Sequence, residues 1–455
     1  MTDLAALRRA ARQILDVAIA AGDARRLTEH ALRLEDGRLL VASRSFELGR
    51  VRRIVVVGVG KASEAMADAI EDVLGTRIAD GLVVVKEARG ARSGRIRVVE
   101  AGHPLPDERG RAAAAEILQL VRGAGPDDLV VCLISGGGSA LAPAPVPGIG
   151  LADKQTVTRL LLETGATINE LNTVRKHLSF LKGGQLARAA SPASVVALLL
   201  SDVIGDPVDV IASGPTAPDP TTFADALAVL ERFGLRARVP DSVRAHLEAG
   251  ARGDVPDTPK PDDPAFARVT NVVIGNNRLV ATAATEEAAR LGYPPLFLTR
   301  QIQGEAREVA RVFAAVLRDA AAAGAPVGRP GCLLAAGETT VTVRGPGKGG
   351  RCQEFCLALA PMLAELPGVV VLAAGTDGSD GPTDAAGAVV DPTTVARARA
   401  LGLDPRPALA ANDAYTFFSG LGDLVVTGPT GTNLLDLYLG LVGDPTDSRQ
   451  ARHLA

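Results

Sequence analysis

The chain has 455 residues, 47% of them apolar and 22% charged, with a net charge of −3, so it can bury two cores and carries no basic field for nucleic acid. Aromatic residues are only 3% and tryptophan is absent, which removes the stacking surfaces of single-strand binders. The longest apolar runs, such as 195–200, are too short to span a bilayer, and the N-terminus shows an amphipathic pattern (Leu4, Leu7, Ala11, Leu15) rather than a signal segment, so a cytoplasmic protein without a membrane partner is expected.

In chain order, apolar runs at 53–57, 82–85, 129–134 and 195–200 read as buried strands of a mostly parallel sheet. Helical patterns at 62–74, 109–123, 153–165 and 178–190 alternate with them. This alternation predicts a Rossmann-like, doubly wound α/β domain over residues 1–250. Residues 251–267 are rich in proline and charge and are expected to be a linker. A smaller mixed α/β domain should follow over 268–455. Its elements are a strand at 269–274, a helix at 277–291, a strand at 296–299 and a helix at 305–323. A hairpin or strand pair around 332–343, a helix from Arg351 and a strand at 369–373 complete it. An active-site cleft is expected between the two domains.

Cys352 and Cys356 stand four apart on the expected helix and should face its core, while Cys132 and Cys332 add no framework spacing. Scattered histidines argue against a zinc site, and His30, His246 and His453 read as packed or surface residues. Lysine is scarce: seven of the 49 basic residues, five of them (Lys61, Lys86, Lys176, Lys182, Lys348) in or beside glycine-rich or strand-end segments. A compact ammonium kept where arginine is the default points to a site.

Four segments could carry chemistry. In 53–63, RIVVVGVGKAS, a strand runs into Gly58, Gly60 and Lys61 before a helix, a place that favours anions. Ser63 stands where a dinucleotide fingerprint has its third glycine, and Val55 where a Walker A loop has its first. In 129–140, LVVCLISGGGSA, a buried strand ends in Ser135, Gly136, Gly137, Gly138 and Ser139, a loop suited to phosphate oxygens. Asn172, Arg175 and Lys176 lie within one helical segment ahead of Lys182-Gly183-Gly184, and read either as an anion site or as a solvated helix face. In 200–215, Ser201 and Asp202 reach the carboxyl edge of the sheet, and Asp206 and Asp209 follow in a turn. In the second domain, 345–351 (GPGKGGR) opens a helix with Gly349, Gly350 and Arg351, and 375–387 (GTDGSDGPTDAAG) brings Asp377, Asp380 and Asp384. These acids could meet a metal or a ribose, although the terminal Glu of an EF-hand is missing.

Taken together, VVVGVGKAS, GHPLPD, ISGGGSALAPAP, NELNTVRKHLS with KGGQLA, LSDVIGDPVDVIASGPT, GGRCQEF, AAGTDGSDGPTDAAG and TGPTGTN closely resemble the type II glycerate kinases, which carry a MOFRL-type C-terminal domain and were at times called hydroxypyruvate reductases. The resemblance runs through nearly the whole chain in order. It implies transfer of the ATP γ-phosphoryl group to the 2-hydroxyl of D-glycerate with Mg2+, giving 2-phosphoglycerate and ADP; a monomer and a homodimer both stay open. The family's active-site residues map onto Lys61, Asp202 and Arg351. On this basis Ser135 to Ser139 and Lys61 are expected to hold phosphate, and Asn172, Arg175 and Lys176 the substrate. Gly349, Gly350, Asp377 and Asp380 are expected to hold the nucleotide, with Asp206 or Asp377 near the metal. Two alternatives come from other classes: an NAD(P)H-dependent hydroxypyruvate reductase and a non-catalytic phosphometabolite-binding protein.

Overall fold

The computed structural model describes residues 3–90 and 94–444; His453 lies outside them. The chain forms two compact units. One spans Ala24–Ile274, and the other joins the chain up to Asp23 to the chain from Gly275 onward.

The first unit is built on a six-stranded sheet. In spatial order its strands are Ile96–Glu100, Ile78–Val85, Arg53–Val59, Asp128–Ile134, Ser194–Leu200 and Val269–Gly275. The four pairings from Ile96–Glu100 across to Ser194–Leu200 are parallel. Numbered along the chain this is the 3-2-1-4-5-6 order, whose switch point falls between the first and fourth strands. Those strands, RIVVVGV and DLVVCLI, are buried on both faces, which explains their unbroken apolar character. Ser63–Leu74, Glu108–Arg122 and Leu151–Glu163 form the helices expected there.

Two expectations in this unit change. The helix read at 178–190 is instead a helix Ile168–His177, a turn, and a short helix Gln185–Ala190. Gly183 and Gly184, at φ +56° and +78°, break the run, because left-handed backbone cannot continue a right-handed helix. A three-stranded antiparallel sheet, Leu32–Glu35, Arg38–Val41 and Arg44–Glu47, was not expected, its strands being short and heavily charged.

The second unit holds a mixed sheet ordered Pro295–Phe297, Gly331–Gly337, Asp436–Val442, Val369–Gly375, Gly387–Val390 and Leu424–Val425. Gly331–Gly337 forms no hairpin around 332–343; it pairs in parallel with Pro295–Phe297 and antiparallel with Asp436–Val442. Helix Arg351–Leu363 packs on this sheet, with Cys352 and Cys356 fully buried in its core.

The division between units falls at 274/275 rather than at 251–267. Val269–Gly275 completes the first sheet, and the segment before it is tied to the first unit by Arg188, which donates to Asp263 at 2.7 Å and to the Asp257 carbonyl at 2.9 Å. The N-terminal helix Leu4–Ala21 belongs with the second unit. Its apolar stripe (Leu7, Ala11, Ile14, Leu15, Ala18) packs against helix Asn277–Arg290, and Arg8 pairs with Asp391 and Asp423 at 2.6 and 2.7 Å. Among the described residues no helix is long and apolar enough to cross a membrane.

Candidate functional site

At the switch point two loops are laced together by backbone. Gly60 donates to the Val84 carbonyl (3.1 Å), Lys61 N–H to Gly136 (2.9 Å), and Ser135 N–H to Val59 (3.1 Å). Gly60 sits at φ +137°, where a Cβ would lie 2.7 Å from the Ser135 carbonyl carbon. Ser63, in place of a third glycine, is buried and donates to the Leu133 carbonyl at 3.1 Å. The glycine loop divides into structural and accessible parts. Ser135 is buried, and its Oγ accepts from Ala62 N–H at 3.0 Å. Gly136 and Gly138 are also buried, whereas Gly137, Ser139 and Lys61 are partly exposed. Gly137 is left-handed at φ +85°, and a Cβ there would stand 3.1 Å from the His103 ring and 3.5 Å from the Lys61 side chain. His103 thus joins this face; its GHPLPD segment was the only sequence signal for it.

The next strand, Ser194–Leu200, ends beside the same loop and delivers Asp202, partly exposed, to that edge. The turn beyond it is strained: Asp206, Ala212 and Ser213 have φ of +57°, +49° and +63°. Non-glycine residues held there cost of order 1–3 kcal/mol each, and such strain gathers at functional sites. The turn is held by Ser213, whose Oγ donates to Asn172 Oδ1 at 2.8 Å and shares a 2.5 Å hydrogen bond with Ser139 Oγ. Ser139, Ser213 and Asn172 therefore form one chain from the glycine loop to helix Ile168–His177.

On that helix the two neighbouring cations differ. Lys176 is buried and paired with Asp209 (3.4 Å) and Asp219 (3.3 Å), so its charge is already matched within the fold. Arg175 is partly buried, and its side chain has no hydrogen-bond or ion-pair partner among the described residues. Burial pushes its guanidinium down to about 10. Lys182 is buried and donates to the Ser139 and Ala142 carbonyls at 2.9 and 3.4 Å, tying down the far end of the glycine loop. Lys154, which carries no sequence signal because it sits mid-helix, is buried too and donates to the Leu178 carbonyl at 2.9 Å.

In the second unit Arg351 opens its helix and is held by two acids. Nε and Nη2 grip Asp436 at 2.6 and 2.9 Å, and Nη1 reaches Glu338 at 2.5 Å. Burial opposes the guanidinium charge, but Asp436 and then Glu338 outweigh it, so the arginine holds its proton more tightly than usual. Burial raises the Glu338 carboxyl, with Asp436 and Asp377 adding to the effect. Asp377 is partly exposed, and its Oδ1 accepts from Ser379 N–H at 3.1 Å. Asp380 sits differently. It is buried, and its carboxylate accepts from Cys352 and Gln353 N–H at 3.1 and 2.8 Å, capping the helix that Arg351 opens. Burial pushes its carboxyl up to about 7. Gly350 packs on Asp380, where a Cβ would overlap it, and Gly349 lies against Ala414. The helix N-terminus is thus filled by a protein carboxylate rather than open to a nucleotide phosphate.

A 3-2-1-4-5-6 sheet with glycine loops at its switch point defines a doubly wound α/β protein, a class whose ligands bind outside the carboxyl ends of the strands. Residues 10–248 match the domain of unknown function DUF4147, and residues 331–436 match the MOFRL family. The glycerate 2-kinase of Pyrococcus horikoshii is 42% identical over 94% of this chain and 96% of its own length. Human glycerate kinase is 42% identical over 95% and 93%. An Agrobacterium vitis protein with the provisional name hydroxypyruvate reductase is 46% identical over 92% and 94%. A crystal structure of a Thermotoga maritima glycerate kinase superposes with a TM-score of 0.83 at 39% identity, covering 96% of this chain and 99% of that one. The chain belongs to the type II glycerate kinase family.

Proposed function

We propose that the chain phosphorylates D-glycerate at its 2-hydroxyl, using ATP and Mg2+ and releasing 2-phosphoglycerate and ADP. The observation that supports this reading is that Lys61, the Gly137–Ser139 edge and Asp202 follow the ends of three neighbouring parallel strands, in a chain whose relatives include proteins named glycerate 2-kinase. Phosphoryl transfer needs alignment and charge neutralisation more than covalent help, and this set supplies both. In the proposed mechanism the Lys61 ammonium and the Gly137–Ser139 edge hold phosphate oxygens. Asp202 orients the attacking hydroxyl and takes its proton. Asn172 and Arg175 hold the acceptor, and Arg351, set in place by Asp436, is the second unit's candidate for offsetting phosphate charge.

Among the described residues no three His, Cys, Asp or Glu side chains converge on one point. That fits Mg2+, which keeps several waters and binds through one or two carboxylates together with nucleotide phosphates. Asp206 in the first unit and Asp377 in the second, each partly exposed, are separate candidates to hold it. The ion would supply neutralisation of phosphate charge.

The test is ADP release from MgATP with D-glycerate, with the product passed to enolase in the presence and absence of phosphoglycerate mutase. Immediate enolase turnover is expected. A requirement for the mutase would place the phosphate on the 3-hydroxyl. Absence of ADP release, with NADPH consumed on hydroxypyruvate, would overturn the kinase reading.

A further inference from the structure

The hydrogen bonds that join Ser139, Ser213 and Asn172 in the first unit have a direction. A serine hydroxyl carries a single proton, and an amide oxygen can only accept one. Ser213 Oγ gives its proton to Asn172 Oδ1 at 2.8 Å. The 2.5 Å contact between the two serines is therefore filled by the other proton, with Ser139 Oγ donating to Ser213 Oγ. Asn172 and Ser213 are buried, whereas Ser139 is partly exposed. The accessible end of this line is thus an oxygen whose proton is already committed. It offers lone pairs and no hydrogen.

The surroundings hold that arrangement. Lys182 Nζ donates to the Ser139 carbonyl at 2.9 Å, which fixes the residue at its backbone. Ser213 sits at φ +63°; its carbonyl accepts from Gly183 N–H at 2.9 Å and its own N–H donates to the Val210 carbonyl at 2.8 Å. A glycine would take that left-handed backbone without strain, but would leave the buried Asn172 oxygen without this donor and the Ser139 hydroxyl free to turn. Phosphate oxygens are negatively charged and call for donors, so the Ser139 hydroxyl is the wrong partner for them. Lys61 and the backbone of the glycine loop remain for that role. We propose that Ser139 is a specificity-determining residue on the acceptor side, where its Oγ accepts the proton of the hydroxyl that is not phosphorylated, the 3-hydroxyl of D-glycerate. This rests on the glycerate kinase reading for the identity of the acid, and adds which of its groups is read and by which atom. An oxygen committed to accepting favours a neighbour that donates over a bare methyl group or a fluorine.

The test compares D-glycerate with D-lactate, which lacks the 3-hydroxyl, and with 3-fluoro-D-lactate, whose fluorine fills that place but brings no proton. Steady-state kinetics and ligand-induced shifts in Tm are measured on the full chain for wild type, Ser139→Ala and Ser213→Ala. Wild type should favour D-glycerate over both analogues by roughly 30-fold in kcat/KM, the effect of one hydrogen bond left unmade at a desolvated oxygen. Ser139→Ala should keep the wild-type KM for MgATP and lose most of that preference, whereas a purely structural role would lower all three acids alike. Ser213→Ala frees the Ser139 proton, so the fluoro acid should gain on D-glycerate although Ser139 itself is untouched. Equal kcat/KM for D-glycerate and the fluoro acid in wild type would overturn the proposal. So would a Ser139→Ala variant that keeps the preference and raises KM for MgATP, which would place the hydroxyl on the phosphate. The preference read as shifts in Tm needs no turnover: its presence without ADP release would sink the kinase reading and leave the role of Ser139 standing.

Discussion

Arg351 and Asp436 are joined by two parallel hydrogen bonds, at 2.6 and 2.9 Å, with the Asp436 side chain only 1% exposed and Tyr438 Oη donating to the same carboxylate at 3.3 Å. The acid comes from the first residue of the strand Asp436–Val442 and the base from the first turn of the helix Arg351–Leu363, so the pair fixes where the guanidinium points. Arg351→Ala leaves a buried carboxylate unmatched and should lower stability by about 3 kcal/mol. With Arg351 in the role proposed above, Asp436→Asn, which leaves Glu338 alone to hold the guanidinium, should cut turnover by roughly a hundredfold. Urea denaturation of both single variants and the double variant measures the coupling; a value near zero would mean the contact is incidental.

Gly60 offers a stability test of the switch point. With φ +137° and the Ser135 backbone where a Cβ would go, Gly60→Ala should cost about 3 kcal/mol or more. Gly37 is the control. It is also left-handed, at φ +74°, but has open space around it, so Gly37→Ala should cost only about 1 kcal/mol. Equal denaturation midpoints for the two variants would refute the close approach of the loops.

These loops were legible in the sequence because glycines set directly after an unbroken apolar strand mark a backbone that turns sharply and stays uncovered. The unit boundary was not. Proline and charge in 251–267 resemble a linker, yet the segment is bound by Arg188 and His177, contacts between residues some 70–80 positions apart. The N-terminal helix showed its apolar stripe, but nothing local says which core that stripe joins. Likewise Asp380 reads as a ligand residue until its two backbone N–H donors are seen. Lys154 sits in an ordinary helical pattern, and only tertiary packing buries its ammonium against the Leu178 carbonyl.

Asp128 should shape the acid limb of stability. Its side chain is buried, and although burial acts to raise the carboxyl, Arg52, the Gly125 N–H and Arg53 together lower it from 3.8 to about 2. A depressed carboxylate contributes stability that is present above pH 4 and lost as the pH falls towards 2. Allowing for the exposure of Arg52, Asp128→Asn should cost about 1 kcal/mol at neutral pH and progressively less as the pH falls through about 2. Denaturant midpoints taken from pH 2 to pH 7 check this; parallel curves for variant and wild type would exclude it.

Lys176 and Arg175, adjacent on one helix, should fail in different ways. The Lys176 ammonium is the counter-ion of Asp219, whose side chain is fully buried and also accepts from Thr221 and Thr258. Lys176→Met would leave that carboxylate and Asp209 without their cation while keeping the bulk of the stem. The expected result is a loss of about 3 kcal/mol in stability, with KM for D-glycerate close to normal in the fraction that remains folded. Arg175→Ala should do the reverse, since it breaks no pair in the fold. A raised KM with unchanged stability in Lys176→Met would return that lysine to the substrate. The sequence alone could not separate the two, because a run of basic residues does not reveal which of them the fold has already answered with an acid.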